Sequence, residues 1–169
     1  MRTFILAAAV LFSATLFNTS TVQAETFPVI TDKTVLSECG DCHMAFPPET
    51  LSTVAWTKII NGLEDHFGED ASVDAATTAH ILDYHLKNSN DVTSTRAANK
   101  WRMSFPVMRI IDASRFIKKH KGCEAAWVHK DVGSKANCLA CHKDMQTTGS
   151  TKENLSFLPA SIRRTCGED

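Results

Sequence analysis

Two cysteine pairs, each followed directly by a histidine, are the residues of this chain best suited to chemistry. They occur as Cys39-Gly40-Asp41-Cys42-His43 and as Cys138-Leu139-Ala140-Cys141-His142. Thiols three residues apart share one face of a helical turn, so both can bond to one porphyrin through its two vinyl groups. The histidine that follows can bind the iron from the proximal side. The spacing therefore predicts two covalent c-type haems, with the four cysteines as anchors and His43 and His142 as iron ligands.

Other uses of paired cysteines fit the sequence less well. Zinc sites built from two such pairs usually space them by about 15 to 20 residues, whereas these pairs lie almost a hundred residues apart. A thioredoxin-like redox motif requires a strand–helix–strand context, and no strand pattern surrounds either pair. Disulfides within the pairs would leave both histidines without a role.

The first 24 residues are typical of a secretory signal. Arg2 gives a positive start, an apolar run extends from Phe4 to Phe17, and Val22-Gln23-Ala24 supplies small residues for cleavage. We expect cleavage near Ala24 and a location in a bacterial periplasm. No later apolar stretch reaches the roughly 20 residues that span a bilayer, so we expect no stable membrane insertion after cleavage. Retention of the segment as an anchor is the weaker alternative.

Residues 25–169 have the length of one domain and form two oppositely charged parts. Residues 25–90 carry 11 acidic and 3 basic side chains, and residues 91–169 carry 8 acidic and 14 basic ones. We predict a first haem half over residues 25–90 and a second over residues 91–169. Their net charges can orient the protein towards a partner, or they cancel where the halves pack together. The sequence alone leaves both interpretations open.

The pattern of apolar residues predicts a mostly α fold, with short helices and loops wrapped around the two haems as in a cytochrome c. Trp56, Ile60, Leu63 and Phe67 recur at three- and four-residue steps, which predicts an amphipathic helix ending at Gly68.

A second predicted helix follows this one. Ser72 or Asp74 can cap it, and its apolar residues continue to about Asn88. The polar residues 88–95 then predict a connection between the two halves. Residues 105–120 are apolar and basic, and both a helix and an irregular segment are compatible with them.

The sixth ligand of each iron can come from several remaining residues. His85 lies on the apolar side of the second predicted helix, and His80 lies on its polar side. His66 continues an apolar face, whereas His120 follows Phe116 within a run of lysines. The residues alone leave the choice open among His66, His80, His85, His120, His129, Met44, Met103, Met108 and Met145.

Four stretches of the chain resemble the small soluble dihaem cytochromes c of bacteria. They are Glu38–Pro48, Leu63–Ser72, Phe116–His120 and Ser134–His142, and they span nearly the whole chain after the signal. The resemblance implies bis-histidine ligation of both irons, with His66 and His120 as distal ligands, and electron transfer in the periplasm. It also implies redox partners such as a membrane cytochrome b or a monohaem cytochrome c. We expect no nucleic-acid partner.

The pairing of the histidines is predicted from their order along the chain. His43 is paired with His66, and His142 with His120, because each pair is close in sequence. A crossed pairing stays open. His85 occupies a position that is usually apolar in the family, and His129 lies where no histidine is expected, so both remain reserve ligands.

Cys123 and Cys166 remain after the haem motifs. In an oxidising compartment two spare thiols favour a disulfide, which would tie the C-terminal tail to the segment before the second motif. Two unrelated thiols are the alternative.

The function predicted from these residues is outer-sphere electron transfer through two bis-histidine haems, with no catalytic residue. The competing class is a haem enzyme or gas-binding sensor, which requires an open or displaceable sixth position on one iron. Dihaem peroxidases are much longer than this chain, and the supply of spare histidines favours closed positions. A structural module without haem is the third alternative.

Overall fold

A computed structural model describes residues 24–166 and confirms the mostly α fold. Across these residues eight short α-helices follow one another, the longest being α3: α1 Lys33–Gly40, α2 Thr53–Ile60, α3 Ala75–Asn88, α4 Arg96–Trp101, α5 Ser114–Lys119, α6 Glu124–Trp127, α7 Met145–Thr148 and α8 Ala160–Thr165. Single turns of 3₁₀-helix occur at Pro48–Thr50, Leu63–Asp65, Ile110–Asp112 and Cys138–Ala140. Within residues 24–166 the extended pairings are isolated bridges, Thr26 with Ser150 and His66 with Glu69.

Short polar side chains begin four of these helices. Asp32 Oδ1 accepts a hydrogen bond from the amide of Val35, and Thr95 Oγ1 accepts one from the amide of Ala98. Asp74 Oδ1 accepts from the amides of both Ala76 and Thr77, and Ser52 Oγ accepts from the start of α2. Each side chain satisfies an amide that has no partner within its own helix. The predicted cap at Asp74 and the end of α3 at Asn88 are confirmed.

The first predicted helix was wrong in its length. It ends at Ile60 instead of continuing to Phe67, because Asn61 and Gly62 close it: the Gly62 amide bonds to the Ile59 carbonyl. Trp56 and Ile60 are buried as their spacing predicted, whereas Phe67 is exposed. The apolar residues therefore keep a helical spacing as far as Phe67, although the helix itself ends at Ile60.

Helices α2 and α3 pack together over the first core cluster. This cluster contains Val35, Leu51, Trp56, Ile60 and Ile81. A second cluster lies around Phe27, Met44, Trp101, Phe116 and Met145, and it joins residues from both predicted halves.

The polar connection between the halves is partly buried. Ser89 and Asn90 are both almost completely enclosed. The backbone amide of Asn90 donates a hydrogen bond to the Leu51 carbonyl. The backbone carbonyl of Asn90 accepts two hydrogen bonds from the Arg102 guanidinium, at 2.9 and 2.7 Å. Asn90 therefore joins the segment just before α2 to the end of α4 through the hydrogen bonds of its buried polar groups. The division into two haem halves stays a prediction.

Both ends of the described chain are fixed to residues of the predicted second half. The Phe27 amide bonds to the Gly149 carbonyl, and the Thr151 amide bonds to the Glu25 carbonyl. The Glu25 carboxylate also pairs with Arg115 at 2.9 Å. At the other end, Cys123 and Cys166 form the predicted disulfide.

Every helix within residues 24–166 is too short or too polar to cross a bilayer. The predicted secretory signal lies outside the described residues except for Ala24.

Candidate haem sites

The first motif and His66 lie together. Cys39 is in the last turn of α1, and Cys42 and His43 follow in the loop after it. The ring centroids of His43 and His66 are 6.1 Å apart, and the two ring planes differ by 27°. Nδ1 of His43 is 2.7 Å from the Met44 carbonyl, a contact in which Nδ1 is the donor. Nε2 of His43 is then the nitrogen with a free lone pair.

A tight turn, not a helix, presents His66. The His66 amide bonds to the Glu69 carbonyl at 2.8 Å, and the Glu69 amide bonds back at 3.3 Å. Phe67 and Gly68 between them have φ angles of 60° and 104°. Two successive positive φ angles are typical of a type I′ turn, which Gly adopts readily and Phe at a cost.

The second motif and His120 form an equivalent pair. His120 follows the end of α5, and its Nδ1 donates to the Phe116 carbonyl at 2.9 Å. The His120 and His142 ring centroids are 6.0 Å apart, and their ring planes differ by 89°. The structure thus brings together the pairs that sequence proximity favoured, His43 with His66 and His120 with His142.

Burial favours the neutral form of both imidazoles in the second pair. It lowers the pKa of both His120 and His142. Within residues 24–166, Nδ1 of His142 has no hydrogen-bond partner of good geometry. The backbone carbonyls of Thr151 and Lys152 nevertheless oppose part of the lowering of the His142 pKa. Burial, followed by the charges of His43 and Arg109, also lowers the pKa of His66. A neutral imidazole is the form that binds a metal.

The separation within each pair is the one that an iron held between two imidazole nitrogens would require. Two metal–nitrogen bonds of about 2 Å each, together with the two ring radii, place the centroids about 6 Å apart. Each pair also includes the histidine of a Cys-x-x-Cys-His motif, so two thiols lie beside it. The residues present therefore fit an iron porphyrin at each pair.

Three of the four motif cysteines, Cys39, Cys138 and Cys141, are partly buried, and Cys42 is exposed. The partly buried thiols lack the features of reactive thiolates. Burial raises the pKa of Cys39 and of Cys138 to about 11, and it also raises the pKa of Cys141. In catalytic Cys-x-x-Cys motifs the thiol pKa is lowered instead. This difference argues against a thioredoxin-like role for the cysteine pairs.

A cavity of about 340 Å³ lies between the two motifs. Cys42, His43 and Met44 of the first segment line it together with Cys138 and Leu139 of the second. A smaller cavity of about 170 Å³ lies beside His66, with Lys58, Ile59 and Met108 in its wall. The two attachment segments therefore face a common space although they are far apart in sequence.

The reserve histidines have other neighbours. His85 is buried, its ring centroid lies 4.3 Å from that of Trp56, and its Nδ1 donates to the Ile81 carbonyl. His129 packs near Phe157 and Asp131. His80 is exposed and contacts Asp32 at 2.8 Å.

Sequence reasoning missed the aromatic residues that support the histidines. Phe46 stacks on His43 with centroids 4.8 Å apart, and Phe116 stacks on His120 at 4.1 Å. The sequence held one indication of these contacts: Phe46 is three residues after His43, and Phe116 is four residues before His120. Phe67 lies against His66. The Arg109 guanidinium lies over the Phe67 ring, 4.3 Å from its centroid.

Short helices with two Cys-x-x-Cys-His motifs, each histidine facing another, are the features of a multihaem c-type cytochrome. The family model described as dihaem cytochrome c matches residues 35–149. The chain belongs to the dihaem cytochrome c family, and it carries two covalent haem c groups with iron. Members of this family act as electron carriers.

Solved structures of related proteins agree with this membership. The chain is similar to the dihaem cytochrome c from Rhodobacter sphaeroides, with 34% identity and a TM-score of 0.62 over 70% of this chain and 95% of that one. It is also similar to a dihaem cytochrome type c from Shewanella baltica, with 28% identity and a TM-score of 0.56 over 70% of this chain and 85% of that one. No curated protein matches the chain.

Proposed function

We propose that this protein is a periplasmic electron carrier in which each iron is held between two histidines. His43 and His66 would be the ligands of the first iron, and His142 and His120 those of the second. The observation that carries the proposal is the pair of facing imidazoles at 6.1 and 6.0 Å, each beside two thiols.

Each haem supplies a one-electron ferric–ferrous couple when it is bound. The surrounding residues contribute rigidity. The Nδ1 hydrogen bonds of His43 and His120 to backbone carbonyls fix the tautomer and the ring orientation. Phe46 and Phe116 restrict the same two rings by stacking. Ligands held in this way need little movement when the iron changes its oxidation state, which favours fast outer-sphere transfer.

The cavity between the two motifs supports electron exchange within the molecule. Residues of both attachment segments line it, so Cys42, His43 and Cys138 would hold the two groups around a common space. His43 and His66 would hold one one-electron couple and His142 and His120 the other, so that an electron taken from a donor could pass to an acceptor without a catalytic residue.

The periplasmic location is supported by chemistry in two places. The disulfide between Cys123 and Cys166 is typical of oxidising compartments. The N-terminal segment has the composition of a secretory signal. A membrane cytochrome b or a monohaem cytochrome c is the kind of partner that the resemblance favours.

Electron paramagnetic resonance of the oxidised holoprotein tests the ligand assignment. Nearly parallel imidazole planes separate two of the iron d orbitals in energy, whereas perpendicular planes leave them almost equal. Because the ring planes differ by 27° in one pair and by 89° in the other, we expect one ordinary rhombic low-spin signal and one highly anisotropic low-spin signal.

Two variants assign these signals. His66→Ala is expected to remove the rhombic signal alone, and His120→Ala the anisotropic one. His80→Ala, at an exposed position on α3, is the matched control and should leave both signals unchanged. A high-spin signal in the native protein, or carbon monoxide binding after reduction at neutral pH, would instead favour the haem enzyme or gas sensor.

A further inference from the structure

The two histidine pairs lie in segments of opposite charge. Within four residues of the first motif or of His66, the charged side chains are all acidic: Glu38, Asp41, Glu64, Asp65, Glu69 and Asp70. Within four residues of the second motif or of His120, five are lysines, Lys118, Lys119, Lys121, Lys135 and Lys143, and two are acidic, Glu124 and Asp144. The charge difference between the halves is therefore concentrated where the predicted haems lie.

These charges are on the surface. All six carboxylate residues near the first pair are exposed, as are the five lysines near the second. Since these charged groups are exposed to solvent, the two fields act outwards. The structure thus favours an orienting role over mutual cancellation, at least for these residues.

Ring contacts connect one of these lysines to the second histidine pair. Nζ of Lys135 lies 4.4 Å from the Trp127 ring centroid, and Trp127 lies 6.4 Å from Phe116. Phe116 in turn stacks on His120 at 4.1 Å. Lys135 is therefore linked to the histidine pair by a short series of aromatic contacts, although it belongs to another segment.

Exposed apolar side chains lie among the same lysines. Ile117, directly before Lys118, is 59% exposed, and Val128, directly after Trp127, is 84% exposed. Exposed apolar side chains among mostly basic ones are a suitable composition for a transient protein interface, in which charge guides the encounter and apolar contact completes it.

We propose that this basic surface, formed by Ile117, Lys118, Lys121, Val128, Lys135 and Lys143, docks an acidic redox protein. One electron crosses the surface in each encounter: the centre of the partner is oxidised or reduced by one electron, and the iron between His120 and His142 changes by one electron in the opposite sense. The acidic surface around His66 repels the same partner, so that transfer is confined to the second pair. This inference rests on the proposed function.

Binding of an oxidised plant-type ferredoxin, a strongly acidic protein, to the oxidised holoprotein provides the test. With both proteins oxidised no electron moves, and titration calorimetry measures docking alone. We expect binding at low ionic strength that weakens steeply with added salt. The double variant K118E/K121E, next to His120, should weaken ferredoxin binding about tenfold or more. The double variant K135E/K143E, which flanks the second motif, should also weaken it.

A matched control separates the local surface from net charge. K33E/K87E changes the charge by the same amount at two exposed positions outside the basic surface. Its effect should be clearly smaller than that of K118E/K121E. Equal weakening by both double variants would show that net charge alone governs binding and would overturn the proposal. So would an absence of ferredoxin binding, or binding only to vesicles of anionic phospholipid.

Visible spectra distinguish this failure from a failure of the proposed function. Low-spin spectra without carbon monoxide binding in all variants leave the ligand assignment intact, whatever the docking result. Stopped-flow reduction by reduced ferredoxin should then show the same order of variants as the binding constants.

Discussion

Gly149 illustrates how one residue fixes the N-terminal segment. It ends α7 with a φ of 72°, and its carbonyl accepts the hydrogen bond from the Phe27 amide. A Cβ atom at this position would collide with the Phe27 carbonyl. Glycine is required here both for its positive φ and for the close approach of a second backbone segment.

Two alanine substitutions separate these requirements. Gly133 has a nearly identical φ of 71° but nothing within 4 Å of an added Cβ. Gly133→Ala should lower the free energy of unfolding by about 1–2 kcal/mol, the cost of a left-handed alanine. Gly149→Ala should cost more, because the backbone must also move. Equal losses in chemical denaturation would show that the approach to Phe27 contributes nothing.

At the level of helices, the contact between α2 and α3 includes a buried histidine. Burial lowers the pKa of His85 from 6.5 to about 4, against smaller opposing effects of the Ile81 carbonyl and Asp32. His85 is therefore neutral in the folded protein at pH 7, and its role here is to pack against Trp56.

Acid should destabilise the α2–α3 contact in a defined pH range. Between pH 6.5 and about 4 the unfolded chain binds a proton on His85 and the folded chain does not. Stability therefore falls as the pH is lowered through this range, by up to about 3 kcal/mol from this group. His85→Leu should make the dependence of unfolding free energy on pH less steep there. If the unfolding free energy of His85→Leu differs between pH 7 and pH 4 by as much as that of the wild type, the lowered pKa of His85 is contradicted.

The elements also show how far the sequence could be read. The cap at Asp74 and the helix after it could be predicted, because capping chemistry and apolar spacing agree there. Between Ile60 and Phe67 they disagree: the apolar spacing continues, but Asn61 and Gly62 end the helix. The turn at Phe67 could not be predicted, since a non-glycine residue at a φ of 60° opposes local preference.

The candidate sites were readable to different degrees. His43, His142 and the four cysteines follow from the motif because its spacing is itself the chemistry. His66 and His120 came from the family resemblance, since the residues alone left the choice open among several histidines and methionines. Whether all four histidines bind iron stays a prediction. Phe46 and Phe116 required the structure, because stacking depends on packing that spacing alone does not specify.

For the whole molecule, the disulfide closes the second half. Cys123 lies three residues after His120, and its bond to Cys166 spans a sequence separation of 43 residues. A link over a loop of that length restricts the unfolded chain and contributes about 4 kcal/mol in the chain-entropy description.

Removal of the disulfide should therefore lower stability without changing the haem content. The double variant Cys123→Ser/Cys166→Ser is expected to lose about 2–4 kcal/mol of unfolding free energy in guanidinium titrations. Wild-type protein unfolded in the presence of a reductant is the control and should approach the midpoint of the variant. A variant as stable as the oxidised wild type would show that the tail contributes nothing.

The pairing of Thr26 with Ser150 has a consequence for biogenesis. Translation proceeds from the N-terminus, so residues 25–27 are made long before the segment that receives them. Contacts between such distant residues form late, since the intervening chain must first be present. During that interval Phe27 lacks its backbone partner at Gly149, so the second core cluster is completed only after both Cys-x-x-Cys-His motifs have been synthesised.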